Sequence, residues 1–200
     1  MPPTDAELME RFGAGDDGAF RQLVDRHERG LLRFFFRRSF DRALSEDCVQ
    51  EVFLRLVRHR GSWRPDAKFT TYLYRIAENH WIDRYRSRQA APAMSSLDAE
   101  VTHEGGTLES AVAGAGRRPD QEASDHELAA RIQRALSRIS EEQRQVFVLA
   151  ETRGLKYAEI GEMLGVPVGT VKSRMHAATT RLRELLEAEG LGGADDGDAA

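Results

Sequence analysis

Tyr157-Ala158-Glu159-Ile160-Gly161-Glu162-Met163-Leu164-Gly165-Val166-Pro167-Val168-Gly169-Thr170-Val171-Lys172-Ser173-Arg174-Met175-His176 carries the clearest structural signal in the chain. Tyr157 to Leu164 predicts a short helix stopped by Gly165, and Val166-Pro167 predicts a tight turn. Pro167, with its fixed φ, suits the first turn of the helix that follows. A short helix, a glycine-containing turn and a longer helix make the helix-turn-helix order. In the longer helix Val171, Met175, Ala178, Leu182 and Leu185 recur at i, i+4, i+7, i+11 and i+14, one stripe aimed at a core. Lys172, Ser173, His176 and Thr179 lie away from that stripe, in the N-terminal turns that a recognition helix places in the major groove. Lys172 is suited to guanine and Ser173 to most bases. Arg174, Arg181 and Arg183 suit phosphates, and Thr170 near the helix start adds a hydroxyl and an amide. The plainer reading is an amphipathic helix with a solvated polar face. A helix-turn-helix also occurs in other regulators, so the motif specifies DNA binding better than it specifies a family.

Working outward, Ser140-Glu141-Glu142-Gln143 predicts a capping box opening a helix with Val146, Phe147 and Ala150 turned inward and Gly154 ending it. Helical periodicity spans residues 5–88 and returns over 125–187. Residues 89–124 carry Ala91-Pro92-Ala93, Ser95-Ser96, Gly105-Gly106 and Gly114-Ala115-Gly116, which reads as a flexible linker. Residues 188–200, rich in Gly, Ala and Asp, read as a disordered acidic tail. No alternating strand pattern of useful length interrupts the helices. The expected fold is all-α, two small helical domains joined by a flexible linker, the C-terminal one a helix-turn-helix.

Net charge is −4, which alone argues against nucleic acid. Between Gln89 and Glu127, however, eight acids face only Arg117 and Arg118, and from Glu187 onward there are five acids and no base. The two helical domains are therefore basic and the connecting segments acidic, an asymmetry expected of nucleic-acid proteins. One cysteine, Cys48, excludes an intramolecular disulfide and fits a reducing cytoplasm. The opening Met1-Pro2-Pro3-Thr4-Asp5 lacks the blocks of a signal peptide, and no apolar run approaches the roughly 20 residues of a membrane span. A cytoplasmic protein without membrane insertion is expected.

The N-terminal domain holds two informative helices. In Ser45 to Arg58, Val49, Val52, Phe53 and Leu56 form a core stripe, opposite Asp47, Gln50, Glu51, Leu54 and Arg58. Leu54 amid polar residues suggests a protein-contact face with a small apolar centre, against the plainer reading of one stray surface leucine. From Lys68 to Arg88 five bases and two acids interleave with Phe69, Tyr72, Tyr74, Trp81 and Tyr85. Such mixtures suit single-stranded nucleic acid, since bases stack on rings while cations track the backbone. Helical spacing groups Tyr72, Arg75, Asn79 and Arg86 on one face. Phe69, Leu73, Ile76 and Ala77 share an inward face with His80, so about half of the aromatics read equally well as core.

Asp47-Cys48-Val49-Gln50-Glu51-Val52-Phe53-Leu54, Phe69 through Asn79 and Ile82-Asp83-Arg84 resemble the first domain of bacterial sigma factors of the extracytoplasmic-function (ECF) group. Leu155 through Gly161 and Val166 through Arg174 resemble the second domain of that group, in the same order and across a variable linker. The resemblance implies a sigma factor that binds core RNA polymerase and directs promoter-specific initiation, with an anti-sigma factor as a further partner. It implies that Asp47, Gln50, Glu51 and Leu54 dock on the clamp coiled coil of core polymerase. Trp63, Arg64, Lys68, Phe69, Thr70, Thr71, Tyr72, Arg75, Asn79 and Arg84 would read and melt the minus-ten element. Thr170, Lys172, Ser173, Arg174, His176 and Arg181 would engage the minus-thirty-five element. Cys48 stands where the group has a plain aliphatic residue, and His176 stands at a base-reading position that varies among members.

Other classes lack support in the sequence. A response-regulator protein would need an alternating strand-helix receiver domain, and 5–88 shows none. An enzyme would need a site motif; there is no G-x-x-x-x-G-K-[ST], no H-E-x-x-H, no paired cysteines and no metal-ligand spacing among the six histidines. No cofactor, metal or catalytic residue is expected. A pure protein-interaction adaptor would leave the basic aromatic helix unexplained.

Overall fold

A computed structural model describes residues 1–64, 68–90, 119–152 and 155–191, apart from the side chains at 88–90, 119–126 and 190–191. Among the described residues there are eight α-helices and no strand. The chain divides into two compact units, each holding four of these helices. No helix of the described residues is long and apolar enough to cross a membrane, and no cluster of His, Cys, Asp or Glu among them is arranged to hold a metal ion.

The first unit comprises α1 (Asp5–Gly13), α2 (Asp17–Ser39), α3 (Arg42–Arg58) and α4 (Phe69–Ala90). Short polar residues start its first three helices by satisfying free N-terminal amides. Thr4 and Glu7 form a capping box on α1, Asp16 accepts from Gly18 and Ala19, and Asp41 accepts from Leu44. α2 ends on Phe40 in the left-handed region at φ 56°, a conformation usually left to glycine. The core gathers Leu8, Phe12, Leu23, Leu31, Phe35, Cys48, Val52, Leu56, Leu73 and Ala77, all buried. Phe34 meets Tyr74 edge to face at 5.4 Å, and Phe12 stacks on Phe20 at 4.8 Å.

One ion pair crosses this core. Arg38 of α2 donates to Glu78 of α4 at 2.5 Å, with Glu78 fully buried and Arg38 4% exposed. The guanidinium lies 4.9 Å from the Trp81 ring and 5.6 Å from the Phe34 ring, so aromatic faces add to its neutralisation.

The second unit comprises α5 (Pro119–Ser137), α6 (Glu141–Ala150), α7 (Tyr157–Leu164) and α8 (Val168–Leu186), closed by a π-helical turn at Glu187–Leu191. The capping box expected at Ser140 is present: Gln143 donates its amide to the Ser140 hydroxyl, and its side chain accepts from the Ser140 amide. On α6 the inward residues are Val146, Val148 and Leu149, while Phe147 and Ala150 are half-buried, because the helix is covered on a broader arc than one stripe. Gly154 lies outside the described residues. The helix-turn-helix is formed by α7 and α8. Gly165 caps α7 at φ 66°, and Gly161 sits against the turn so closely that a Cβ there would meet the Val166 carbonyl oxygen at 2.8 Å. Pro167 is the N-cap of α8, one position before the first turn. Val171, Ala178, Leu182 and Leu185 are buried as the stripe predicts, and Met175 is half-buried.

Three boundaries differ from the sequence expectation, the first being α4, which runs to Ala90, two residues into the stretch assigned to the linker. α5 begins at Pro119, inside the stretch assigned to the linker, since proline opens a helix without losing a needed donor. Residues 188–191, at the start of the expected tail, continue the helical structure, and Glu189 is held to α5: Arg134 pairs with its carboxylate at 3.1 Å and Arg131 donates to its carbonyl at 3.1 Å. The remaining linker at 91–118 and tail at 192–200 lie outside the described residues.

Removing one partner of a buried ion pair costs about 3–5 kcal/mol, because the other charge stays behind in the core. Glu78→Ala is expected to destabilise the first unit by about that amount. Both tryptophans, Trp63 and Trp81, belong to this unit, so tryptophan fluorescence during denaturant unfolding isolates the effect.

Candidate nucleic-acid and protein interfaces

Three surfaces remain once the cores are assigned. The first is the outer face of α3. Asp47, Gln50 and Leu54 are exposed, Glu51 is half-buried, and Leu54 keeps 50% of its surface in solvent. Glu51 is held by its own helix, accepting from Arg55 at 3.0 Å and Arg58 at 3.3 Å. The Arg55 hydrogen bond keeps its carboxyl below the usual range. Arg55 also reaches Asp83 of α4 at 3.6 Å. Val57, 38% exposed, extends the apolar centre beside Leu54. Sequence reasoning missed Val57; its position three residues after Leu54 is the signal that could have found it.

The second surface is the outer face of α4 and the residues before it. Arg75, Asn79 and Arg86 are exposed and Tyr72 is half-buried, so the face grouped by helical spacing exists as a face. Burial raises the Tyr72 phenol above its ordinary value, so it stays a neutral donor. Arg64 and Lys68 are exposed, Trp63 and Thr70 half-buried. Phe69 and Thr71 are buried, as are Tyr74 and Trp81. Phe69 and Thr71 thus seat the helix, and the polar residues around them are left to make contacts. Arg84 is exposed but lies nine residues from Arg75, half a helical turn away by the roughly 100° per residue of an α-helix. It sits beside Leu44, Trp81 and Tyr85 and is not brought together with the others.

Cys48 and His80 are among the titratable groups behind these faces. Cys48 is fully buried, and burial pushes its thiol above the ordinary value, as expected for a core thiol. His80 is buried on the inward face, and desolvation first, then Arg55, pulls its imidazole below the ordinary range. A neutral core histidine is the result.

The third surface is α8. Lys172, Ser173 and His176 are exposed on its N-terminal half. Ser173 donates to the Thr170 carbonyl at 3.0 Å, which leaves its oxygen lone pairs outward. Thr170 and Arg174 are half-buried, and Arg174 faces Ser140, Glu142 and Gln143 at the start of α6. Arg181 is exposed and paired with Glu184 at 2.8 Å. Lys172 and His176 therefore project from one side of the helix, and Thr170, Arg174 and Arg181 from its flank. Val168, the first residue of α8, is 39% exposed next to Lys172. Its residue type does not separate it from the core valines; its place at the helix start does.

Comparison with known proteins agrees with this geometry. A Sigma-70 region 2 family model matches residues 23–91, and a Sigma-70 region 4 model matches residues 129–182. The ECF RNA polymerase sigma factor SigW of Bacillus subtilis is 36% identical over 86% of this chain and 91% of its own. The ECF RNA polymerase sigma factor SigM of Mycobacterium tuberculosis is 37% identical over 92% of this chain and 85% of its own. Among solved structures, CnrH in complex with the cytosolic domain of CnrY covers 94% of this chain and 99% of that one at TM-score 0.64 and 26% identity. The sigma factor RpoE of Bartonella quintana, in complex with the anti-sigma factor NepR, shares the fold at TM-score 0.62 and 23% identity. The two regions fall on the two helical units in the order read from the sequence, and the chain belongs to the ECF sigma factors of the sigma-70 family.

Proposed function

We propose that this chain is a promoter-directing initiation factor without catalytic activity, working in the cytoplasm with core RNA polymerase. The observation that carries the reading is the division of exposed groups between the two units. α3 offers an acidic face with the apolar centre Leu54–Val57, suited to a protein. α4 offers Arg75, Asn79 and Tyr72 with Arg64 and Lys68 near its start, suited to an unstacked strand. α8 offers Lys172, Ser173 and His176 at the end that enters a major groove. Asp47, Gln50, Glu51 and Leu54 bind the polymerase, the α4 set opens and reads the minus-ten element, and the α8 set reads the minus-thirty-five element. Unstacking a base costs a few kcal/mol, which contacts to the exposed base offset.

Control by an anti-sigma factor belongs to the same proposal. It is supported by the two solved relatives of this fold, each held by a second protein. Pull-down from the native host is expected to recover an inhibitor of transcription, and repeated recovery of polymerase subunits alone would count against it.

Run-off transcription with purified core polymerase on sheared host DNA tests the main reading. New start sites sharing a two-part upstream motif are expected when the chain is added; absence of core binding sinks the proposal. Two substitutions then separate the faces. Leu54→Asp places a charge at the centre of the polymerase face and is expected to weaken core binding by about 2 kcal/mol or more, at every promoter alike. Lys172→Ala is expected to cost about 1–3 kcal/mol at promoters carrying its base, with core binding unchanged.

A further inference from the structure

A chain of contacts ties the N-terminal helix to the first residue of α4. Asp5, in the first turn of α1, is fixed by two neighbours on α2: Arg26 donates to Oδ1 at 2.9 Å, and His27 Nε2 donates to Oδ2 at 2.7 Å. Arg26 also donates to the Pro3 carbonyl at 2.8 Å, which anchors the segment ahead of α1. The His27 ring then lies against Phe69, with centroids 5.2 Å apart and planes tilted by 59°. Its side chain is only 15% exposed, so the ring is committed to this packing.

Phe69 is buried and opens α4, directly after exposed Lys68 and directly before Thr70. Its placement sets where α4 begins, and with it the positions of Lys68, Thr70 and Tyr72. A displacement of about 1 Å in such a positioning contact costs up to a hundredfold in a reaction that depends on geometry.

We propose that His27 is a positioning residue for promoter opening: Asp5 holds its imidazole against Phe69, so that α1 sets the start of the strand-facing helix. The proposal rests on the reading of α4 as the minus-ten helix. His27 touches no DNA in it and acts through Phe69. Its imidazole supplies two things at once, a donor to Asp5 and a planar group packed at a tilt against Phe69. A glutamine amide reproduces both approximately, and an alanine neither.

The test compares the full chain with His27→Ala, His27→Gln and Asp5→Ala, each with core polymerase on a promoter recovered by run-off. Opening is followed by permanganate reactivity at the minus-ten element on duplex DNA and on the same promoter carrying a pre-opened mismatched bubble. His27→Ala and Asp5→Ala are expected to slow opening of the duplex about fivefold, the scale of one net hydrogen bond. Both are expected to stay within about twofold of the unsubstituted chain on the bubble, with His27→Gln close to it on both templates. Core affinity and the unfolding midpoint are measured alongside. Unchanged duplex opening by His27→Ala, or equal loss on both templates, overturns the positioning role. If His27→Ala does not fold, Asp5→Ala decides by the same duplex-to-bubble ratio. Failure of the unsubstituted chain to open any promoter would instead remove the minus-ten reading itself, an outcome distinct from the other two.

Discussion

The first unit is organised by the ion pair between Arg38 and Glu78. A buried carboxylate on α4 has to meet its guanidinium, so the pair fixes how α4 is rolled about its axis relative to α2. With Glu78 turned inward, Phe69, Leu73, Tyr74, Ala77 and Trp81 follow it into the core. Tyr72, Arg75, Asn79 and Arg86 are then left outside. A buried ion pair of this kind is weak as a source of net stability, because desolvation of both charges offsets their attraction. Its contribution is to exclude other rolls, since each of these would strand a charge in the core. Trp81 and Phe34, against the guanidinium, make the alternatives worse.

The same economy governs α3. Its inward face is filled by Cys48, Val49, Val52, Phe53 and Leu56, while among the described residues Leu54 and Val57 stay exposed. The charged neighbours of these two apolar groups are partly neutralised within the protein, Glu51 by Arg55 and Arg58. A partner approaching this face meets a small apolar centre ringed by charges that are already oriented, which lowers the ordering cost of binding.

Much of this was legible in the sequence because it depends on local rules. The capping box at Ser140 and Gln143 needs only four residues in order. The α8 stripe and the α3 stripe follow from helical period, and burial matched them closely. What could not be read depends on residues far apart. Arg38 and Glu78 look like surface charges on their own helices, and only tertiary packing makes them partners. His27 and Phe69 likewise meet only when α2 lies beside α4. The mixed aromatic and basic composition of α4 could not say which rings were core. Phe69, Tyr74 and Trp81 are inside and Tyr85 is out. Val168 shows the opposite limit, a valine whose exposure follows from its position at the helix start rather than from its type.

In the second unit, stability and specificity fall on different atoms. The helix-turn-helix angle depends on backbone proximity at Gly161 and on the left-handed Gly165, where any side chain meets the Val166 carbonyl or strained φ. Gly161 has no room for a side chain, and Gly165 admits one only with backbone strain. Lys172, Ser173 and His176 are exposed on the neighbouring helix and bear none of its core packing. Exchange of such residues changes the groups offered to a major groove at a cost to folding usually within about 0.5 kcal/mol. A fold arranged in this way can change the sequence it reads without renegotiating how it folds. Gly161 belongs to the frame of the helix-turn-helix, and His176 to the surface that this frame leaves free of packing.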